Sequence, residues 1–435
     1  MNISRFNIQN SNYTKFKSNL KEQKSSKTVE KHSTVKKHVL ICAGALVTAG
    51  LGFAIYNKSF IKTKHLTTAQ KDFFKLCKNS KLENYKSSAQ NINSGIFNID
   101  LHSHSNYSDG YASVPNLLEQ AASYADKVFA KTGKKFTFAL TDHDRVGGVR
   151  EALKIIKSNP DKYKNLNFIP AVELSFSFIS NGKIRAGELL AYFINPDSKE
   201  IKILVENLNK NRYEMIDNAI NKLGKGFSRS EMENYFINKD GETFAYNLHY
   251  RIRNYAQIKN RINKMAKESN ENPDLLYRKI MQNYVFSYKR VPKPYVSPEG
   301  LENYLKHNNI KTKTEIYDKK IDEICEEFFP KIVDGKIVSN TENSFEKIIE
   351  TFKNDENVVL AFAHPYFTAQ EMANYKKEFD SLIKLSNGKI KMAEIYHQSY
   401  PQNIPIDKIN EINQYLLKKN LIPLGGRDNH SSNLI

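Results

Sequence analysis

A chain of 435 residues with 40% hydrophobic content has the length for one large α/β domain with additions and the apolar content for a real core. Its net charge of +19 is placed unevenly: residues 1–37 carry +7, residues 38–95 carry +6, and the remaining 340 only +6, so the basic balance describes the N-terminal segment rather than a nucleic-acid groove. Cys42, Cys77 and Cys325 have no Cys-x-x-Cys spacing, which excludes a disulfide framework and a thiolate zinc site.

Residues 1–37 are polar, have no periodic apolar face and read as a disordered basic tail. Val39–Tyr56 is an uncharged apolar run of eighteen residues (VLICAGALVTAGLGFAIY). Residues 38–57 are therefore expected to form a single transmembrane helix, since about 30 Å of hydrocarbon must be crossed. A cleaved signal peptide, giving a secreted protein, and a buried core helix are the alternatives. The charged leader is unusually long for a signal peptide, and no small-x-small cleavage site follows Tyr56. Flanks of +7 and +6 leave the side of the membrane undecided. Residues 58–95 read as a linker with one short amphipathic helix near Thr67–Leu76, and the folded domain is expected from about residue 96.

The folded part opens on FNIDLHSHSNYSDG. Phe97, Ile99 and Leu101 alternate with polar residues at the period of a half-buried strand, and His102 and His104, two apart, project to one side of its end. Asp109 follows on a Ser-Asp-Gly turn and can return an oxygen to the same mouth. A strand–helix rhythm continues. Ser113-Val114-Pro115 opens a helix to about Thr132, and Phe136–Leu140 is a strand ending at Thr141-Asp142-His143-Asp144. Arg150–Ser158 is a helix, Asn167–Val172 a third strand ending at Glu173, and Leu189–Ile194 a fourth with Glu188 at its start. Lys199 to about Leu223 is helical, stopped by Gly224. From about Asp197 to Asn343 the rhythm breaks into a charged, aromatic-rich segment, read as an inserted, mostly helical cap with helices at Ile252–Ser269, Glu299–His307 and Lys319–Phe329. It resumes at Asn357–Ala363 before His364-Pro365, at Met392–Tyr396 before His397, and at Leu421–Leu424 before Gly425-Gly426-Arg427-Asp428-Asn429-His430.

Apolar runs that end again and again in His, Asp or Glu have a geometric consequence. In a (β/α) barrel the C-terminal strand ends meet at one face, where active sites are built. His102, His104, Asp109, His143, Glu173, His364, Asp428 and His430 would converge there. Imidazoles and carboxylates without thiolate suit zinc, manganese or iron, and eight donors are too many for one ion, so two or three divalent ions are expected. Cations bridged by a carboxylate lower the pKa of bound water and clamp phosphate oxygens, which points to phosphoester hydrolysis.

HSHSNYSDG, ALTDHD, PAVELS, AHP and GGRDNH, in that order, resemble the PHP (polymerase and histidinol phosphatase) domain family, in its branch of phosphoesterases with an inserted cap. The resemblance covers about residues 96–196 and 344–431. It implies a distorted seven-stranded (β/α) TIM-like barrel with a trinuclear metal site. One ion would lie on His102, His104, Glu173 and Asp428. A second would share Glu173 and take His364, and a third would take Asp109, His143 and His430. Asp142 would orient a histidine. The sequence departs from the pattern in three places. Glu188 stands where the family usually has a histidine, and as a ligand it would harden the site toward manganese or iron. Arg427 replaces a serine and is expected to touch substrate phosphate. The family's cap pair Arg-x-His is matched only by Asn247-Leu248-His249, which makes His249 and the following Arg251 the candidates for substrate contact.

The reading is a membrane-tethered, metal-dependent phosphoesterase acting on a small phosphorylated substrate, a nucleotide or an oligonucleotide end among them, with Asp142 or His397 as proton shuttle. The alternative is a degenerate barrel that binds metal or serves as a scaffold without catalysis. The modest charge of the barrel argues against extensive duplex binding.

Overall fold

The computed structural model describes residues 67–78, 98–236, 248–287, 297–315, 317–339, 343–370, 374–397 and 405–431. The expected tail and transmembrane helix, residues 1–57, lie outside them. Among the described residues no helix is long and apolar enough to cross a membrane.

The chain runs α1 (Thr68–Lys78), β1 (Ile99–Asp100), α2 (Val114–Thr132), β2 (Phe136–Leu140), α3 (Gly147–Ser158), β3 (Leu166–Ser180), β4 (Lys183–Tyr192) and α4 (Lys199–Leu223). The cap holds α5 (Arg229–Phe236), α6 (Leu248–Ser269), α7 (Pro273–Ser287), α8 (Pro298–His307), α9 (Lys319–Glu326) and the strands β5 (Lys331–Val333) and β6 (Lys336–Val338). The return leg is β7 (Asn343–Ser344), α10 (Phe345–Thr351), β8 (Val359–Phe362), α11 (Pro365–Gln370), α12 (Tyr375–Leu385), β9 (Ile390–His397), α13 (Ile406–Lys418) and β10 (Ile422–Gly426).

Seven strands follow one hydrogen-bonded path, β1-β2-β3-β4-β8-β9-β10, and short β7 pairs with β3 off it. The two ends of the path meet: Leu101 N–H donates to Gly425 O (3.3 Å), His104 N–H to Asn429 O (3.0 Å) and Asn429 N–H to His102 O (3.3 Å). The sheet is thereby nearly closed into a barrel. It is mixed, because β4 runs antiparallel to both β3 and β8. The third strand does not stop at Glu173. It continues to Ser180 and turns back through Asn181-Gly182, both with positive φ (50° and 69°), the geometry of a two-residue hairpin. Glu173 and Glu188 are therefore mid-strand residues, with Glu188 paired opposite Ser175.

Alternation along the strands separates two cores. Outward residues such as Val172, Leu174, Leu189, Leu360 and Phe362 pack under the helices. Inward residues Ile99, Ala139, Ile169, Ala171, Leu190, Tyr192, Val359, Ala361, Met392, Ile422 and Leu424 fill the barrel, together with Phe73, Phe74 and Cys77 of α1. The helix expected inside a linker is thus the floor of the barrel. Gln70 fixes it there, its amide donating to the carbonyls of Glu356 (3.0 Å) and Asn357 (2.7 Å) just before β8. The compact domain begins with α1, not near residue 96. The cap has its own core around Ile252, Tyr255, Ile258, Ile262 and Leu301, and α4 serves both: Ile201 and Leu204 belong to the barrel, Met215, Ile216 and Ala219 to the cap.

Candidate metal centre

Above the apolar layers the inward positions change character. On β3 the inward sequence is Ile169, Ala171, Glu173; on β4, read upward, Tyr192, Leu190, Glu188; on β9, Met392, Glu394. The acids thus form a layer at the mouth, and the histidines of the loops that follow the strands close over it.

The loop after β1 is held by its own polar groups. Ser108 and Gly110 donate backbone N–H to Ser105 O, and a Cβ on Gly110 would collide with His104 O. Asp142, fully buried after β2, accepts from Ser105 N–H (2.7 Å), Ser105 Oγ (2.7 Å) and Ser108 Oγ (2.8 Å). Ser108 Oγ lies 3.4 Å from His104 Nδ1, so Asp142 reaches that histidine only through the serine. Burial raises the Asp142 carboxyl, while His104 and the serine hydrogen bonds lower it.

Glu173 occupies the middle. Its Oε2 is 3.0 Å from His102 Nε2, 3.3 Å from His104 Nε2 and 3.2 Å from His143 Nδ1, and its Oε1 is 3.2 Å from His364 Nε2. Asp428, at φ 47°, brings Oδ1 to 3.1 Å from His104 Nε2 and 3.3 Å from His102 Nε2. Asp109 Oδ2 faces His430 Nε2 (3.0 Å) and His143 Nε2 (3.7 Å). Glu188 stands 3.2 Å from His364 Nε2 and 3.6 Å from His143 Nδ1. All nine residues expected as ligands are thus brought into one cluster, and all of them but His364 fall into overlapping groups. His104, Asp109, His143 and His430 form one; His102, His104, Glu173 and Asp428 a second; His143, Glu173 and Glu188 a third, each with donor atoms within 4.8 Å of one another.

The donor set fits divalent ions. Imidazole and carboxylate lone pairs converge on shared points, and His102 Nε2 and His104 Nε2 face each other at 3.1 Å. Buried carboxylates require positive charge beside them. Burial opposes charge on the histidines. Even so, Glu173 and Glu394 raise His102 well above the usual range, Asp428 and Glu173 raise His104 to about 10, and Glu173 and Glu188 raise His364 to about 9. Burial would raise Asp109 and Glu173, but the surrounding histidines hold both well below the usual carboxylate range.

The remaining expected residues sit elsewhere. Arg427 is turned onto Asp100, with Nε and Nη2 at 2.9 and 2.7 Å from Oδ2 and its N–H 3.2 Å from Oδ1, so in this structure the guanidinium closes the seam between β10 and β1. His249 is buried in the cap against Tyr250 and Phe329 (ring centroids 4.4 and 4.7 Å), where burial and Arg253 lower its pKa to about 3. Arg251 is likewise buried on α6. His397 ends β9, its backbone in register with Gly426.

Sequence reasoning missed Glu394. It is fully buried behind the cluster, its two oxygens 3.2 and 3.1 Å from His102 Nδ1, and it accepts the N–H of His364 at 2.9 Å. That hydrogen bond places a proton on Nδ1 and turns the Nε2 lone pair of His102 into the pocket. The signal was an acid at an inward position of an otherwise apolar run, Met392-Ala393-Glu394-Ile395.

No family model and no curated protein matches the chain. The solved structures that the chain is similar to include the following two. One is an amidohydrolase from Chromobacterium violaceum with bound sulfate and no metal, at 17% identity and a TM-score of 0.39, covering 77% of this chain and 88% of that one. The other is a candidate metal-dependent phosphoesterase from Bifidobacterium adolescentis, at 13% identity and a TM-score of 0.38, with the same two coverages. At these scores neither neighbour informs the chemistry of this chain.

Proposed function

We propose that this protein is a metal-dependent hydrolase of phosphate esters. The observation that carries the reading is the overlap of the donor groups: His104, His143 and Glu173 each belong to two of them, so ions held there would be neighbours bridged by common residues. Divalent ions in such a site activate water and neutralise charge on phosphoryl oxygens. The chain's own residues supply the rest. Glu173, with no exposed surface, fixes the spacing of the groups, and Asp142 with Ser105 and Ser108 holds the loop that carries His104. Side-chain exposure rises only at Glu188 (12%), Asp428 (20%) and His430 (32%), so substrate would approach along that edge. The substrate class is a small phosphorylated molecule, a reading supported by the PHP-like motifs. The uncharged run Val39–Tyr56 supports a membrane tether for the enzyme.

The test uses the full chain loaded with Mn²⁺ or Zn²⁺ and a panel of phosphomonoesters and phosphodiesters. Hydrolysis that disappears in His104→Ala is expected. Two or more bound ions per chain with no turnover across the panel would overturn the reading.

A further inference from the structure

Arg212 is among the largest fully buried side chains of the described protein, and it lies outside the donor cluster. It projects from α4, between the stretch that packs on the barrel (Ile201, Leu204) and the stretch that packs in the cap (Met215, Ile216, Ala219). Its Nη2 donates to Asp144 Oδ2 at 3.0 Å, and both side chains are 1% exposed.

Asp144 in turn grips the main chain at Glu173 and Ser175, on either side of Leu174. Its N–H donates to Glu173 O (2.8 Å), and its Oδ1 accepts the N–H of Ser175 (3.1 Å). Its own backbone is left-handed, φ 51°, and the residue before it, His143, bridges to Glu173 in parallel register. The residue that fixes the main chain at Glu173 is therefore itself fixed from α4, the helix shared by barrel and cap. We infer that Arg212 is a positioning residue of the metal centre: acting through Asp144, it holds Glu173 and His143 in the register in which they share ions. The helix α4, which links barrel and cap, would then be part of the metal-binding machinery.

This inference rests on the metal-centre reading, and the experiment separates the two. Mn²⁺ is titrated into the full chain and followed by electron paramagnetic resonance, with thermal melting measured in parallel. Arg212→Met keeps bulk but leaves the Asp144 carboxylate buried without its cation. Asp144→Asn tolerates the positive φ and keeps an acceptor for Ser175 N–H while losing the charge. Both variants are expected to bind Mn²⁺ on the order of 10- to 100-fold more weakly, the range seen when a partner behind a ligand is removed. Arg212→Lys should restore part of the loss, and the double variant should be no weaker than the worse single one, as for residues acting as one unit. Folded variants with lowered melting temperature and Mn²⁺ affinity within about twofold of the parent would reduce Arg212 to a structural role and overturn the inference. If Arg212→Met does not fold, Asp144→Asn decides by the same criterion. A parent chain that binds no Mn²⁺ would overturn the metal-centre reading itself.

Discussion

Glu394→Gln is the sharpest perturbation of the candidate centre that leaves every expected ligand in place. The glutamate serves two donors at once, His102 Nδ1 at 3.1–3.2 Å and His364 N–H at 2.9 Å. Glutamine has nearly the same shape but one acceptor oxygen, so its amide group must confront one of those donors. A buried donor left unsatisfied costs about 1–3 kcal/mol. If the mismatch falls on His102, the Nδ1 proton is no longer held and the Nε2 lone pair loses its fixed direction. Loss of such a partner weakens metal binding roughly 10- to 100-fold, which corresponds to about 1.4–2.7 kcal/mol, so two independent routes give the same size. The measurement is competition for Zn²⁺ or Mn²⁺ against a coloured chelator, with the melting temperature as control for folding. Affinity within about twofold of the parent would refute the argument that Glu394 orients His102.

Gly426→Ala would press a methyl group against His102 Cβ and place it 2.5 Å from Glu394 Oε1; lower metal stoichiometry by elemental analysis is expected even where circular dichroism shows the fold retained. Phe73→Ala should cost about 3–5 kcal/mol in denaturant unfolding, because Phe73 packs on Tyr192 and Phe193 in the barrel floor (ring centroids 5.4 and 5.2 Å); a loss below about 1 kcal/mol would show that α1 is no part of the folded unit. Arg427→Met leaves Asp100 buried without its guanidinium, so stability should fall by about 3–5 kcal/mol with little change in kcat of the folded fraction; a fall in kcat at unchanged stability would instead mean that Arg427 leaves Asp100 for substrate. His249 has a folded pKa of about 3, below its ordinary value of 6.5, so the unfolded chain binds its proton first. The cap should lose stability as pH falls from 6.5 toward 3, by up to about 1.4 kcal/mol per pH unit, and His249→Phe should remove that part of the acid slope in melts recorded across the window.

How far the sequence could be read depended on whether the relevant partner was local. Phe136–Leu140 and Lys199–Leu223 fall where periodicity and a terminating Gly224 put them, because a short apolar run and a helix stop are decided by adjacent residues. The β3–β4 hairpin was legible too, in Phe176-Ser177-Phe178-Ile179 before Asn181-Gly182, but a strict strand–helix rhythm concealed it. The role of α1 was not legible. Phe73 and Phe74 announce an amphipathic helix, yet nothing near them says that the surface they need is the inside of a barrel whose other strands run to residue 426. Glu394 shows the same limit from the other side. An acid in an apolar strand is either at an edge or facing something, and only strand pairing reveals which. The contact of Arg427 with Asp100 was not legible either, because the two are 327 positions apart.

The donor residues and the apolar residues of the barrel follow from one alternation, and this constrains what the pocket can be. The inward rows of β3, β4 and β9 begin with Ile169, Tyr192 and Met392 and end in Glu173, Glu188 and Glu394, so the strands that keep the lower interior apolar also force carboxylates into a place with little water to solvate them. A protein with no use for Glu173 and Glu394 there would be more stable with apolar residues of similar volume at both positions, since buried ionic groups are commonly replaceable in that way. The arrangement becomes reasonable if positive charge from outside the chain completes it. Protonated histidines supply part of that charge, since the carboxylates raise four of the five, but burial opposes protonating each of them, and His143 stays below its ordinary pKa with Glu173 only 3.2 Å away. Divalent cations meet the same carboxylates with more charge in less space, and the imidazoles then serve as neutral ligands, the form that burial favours.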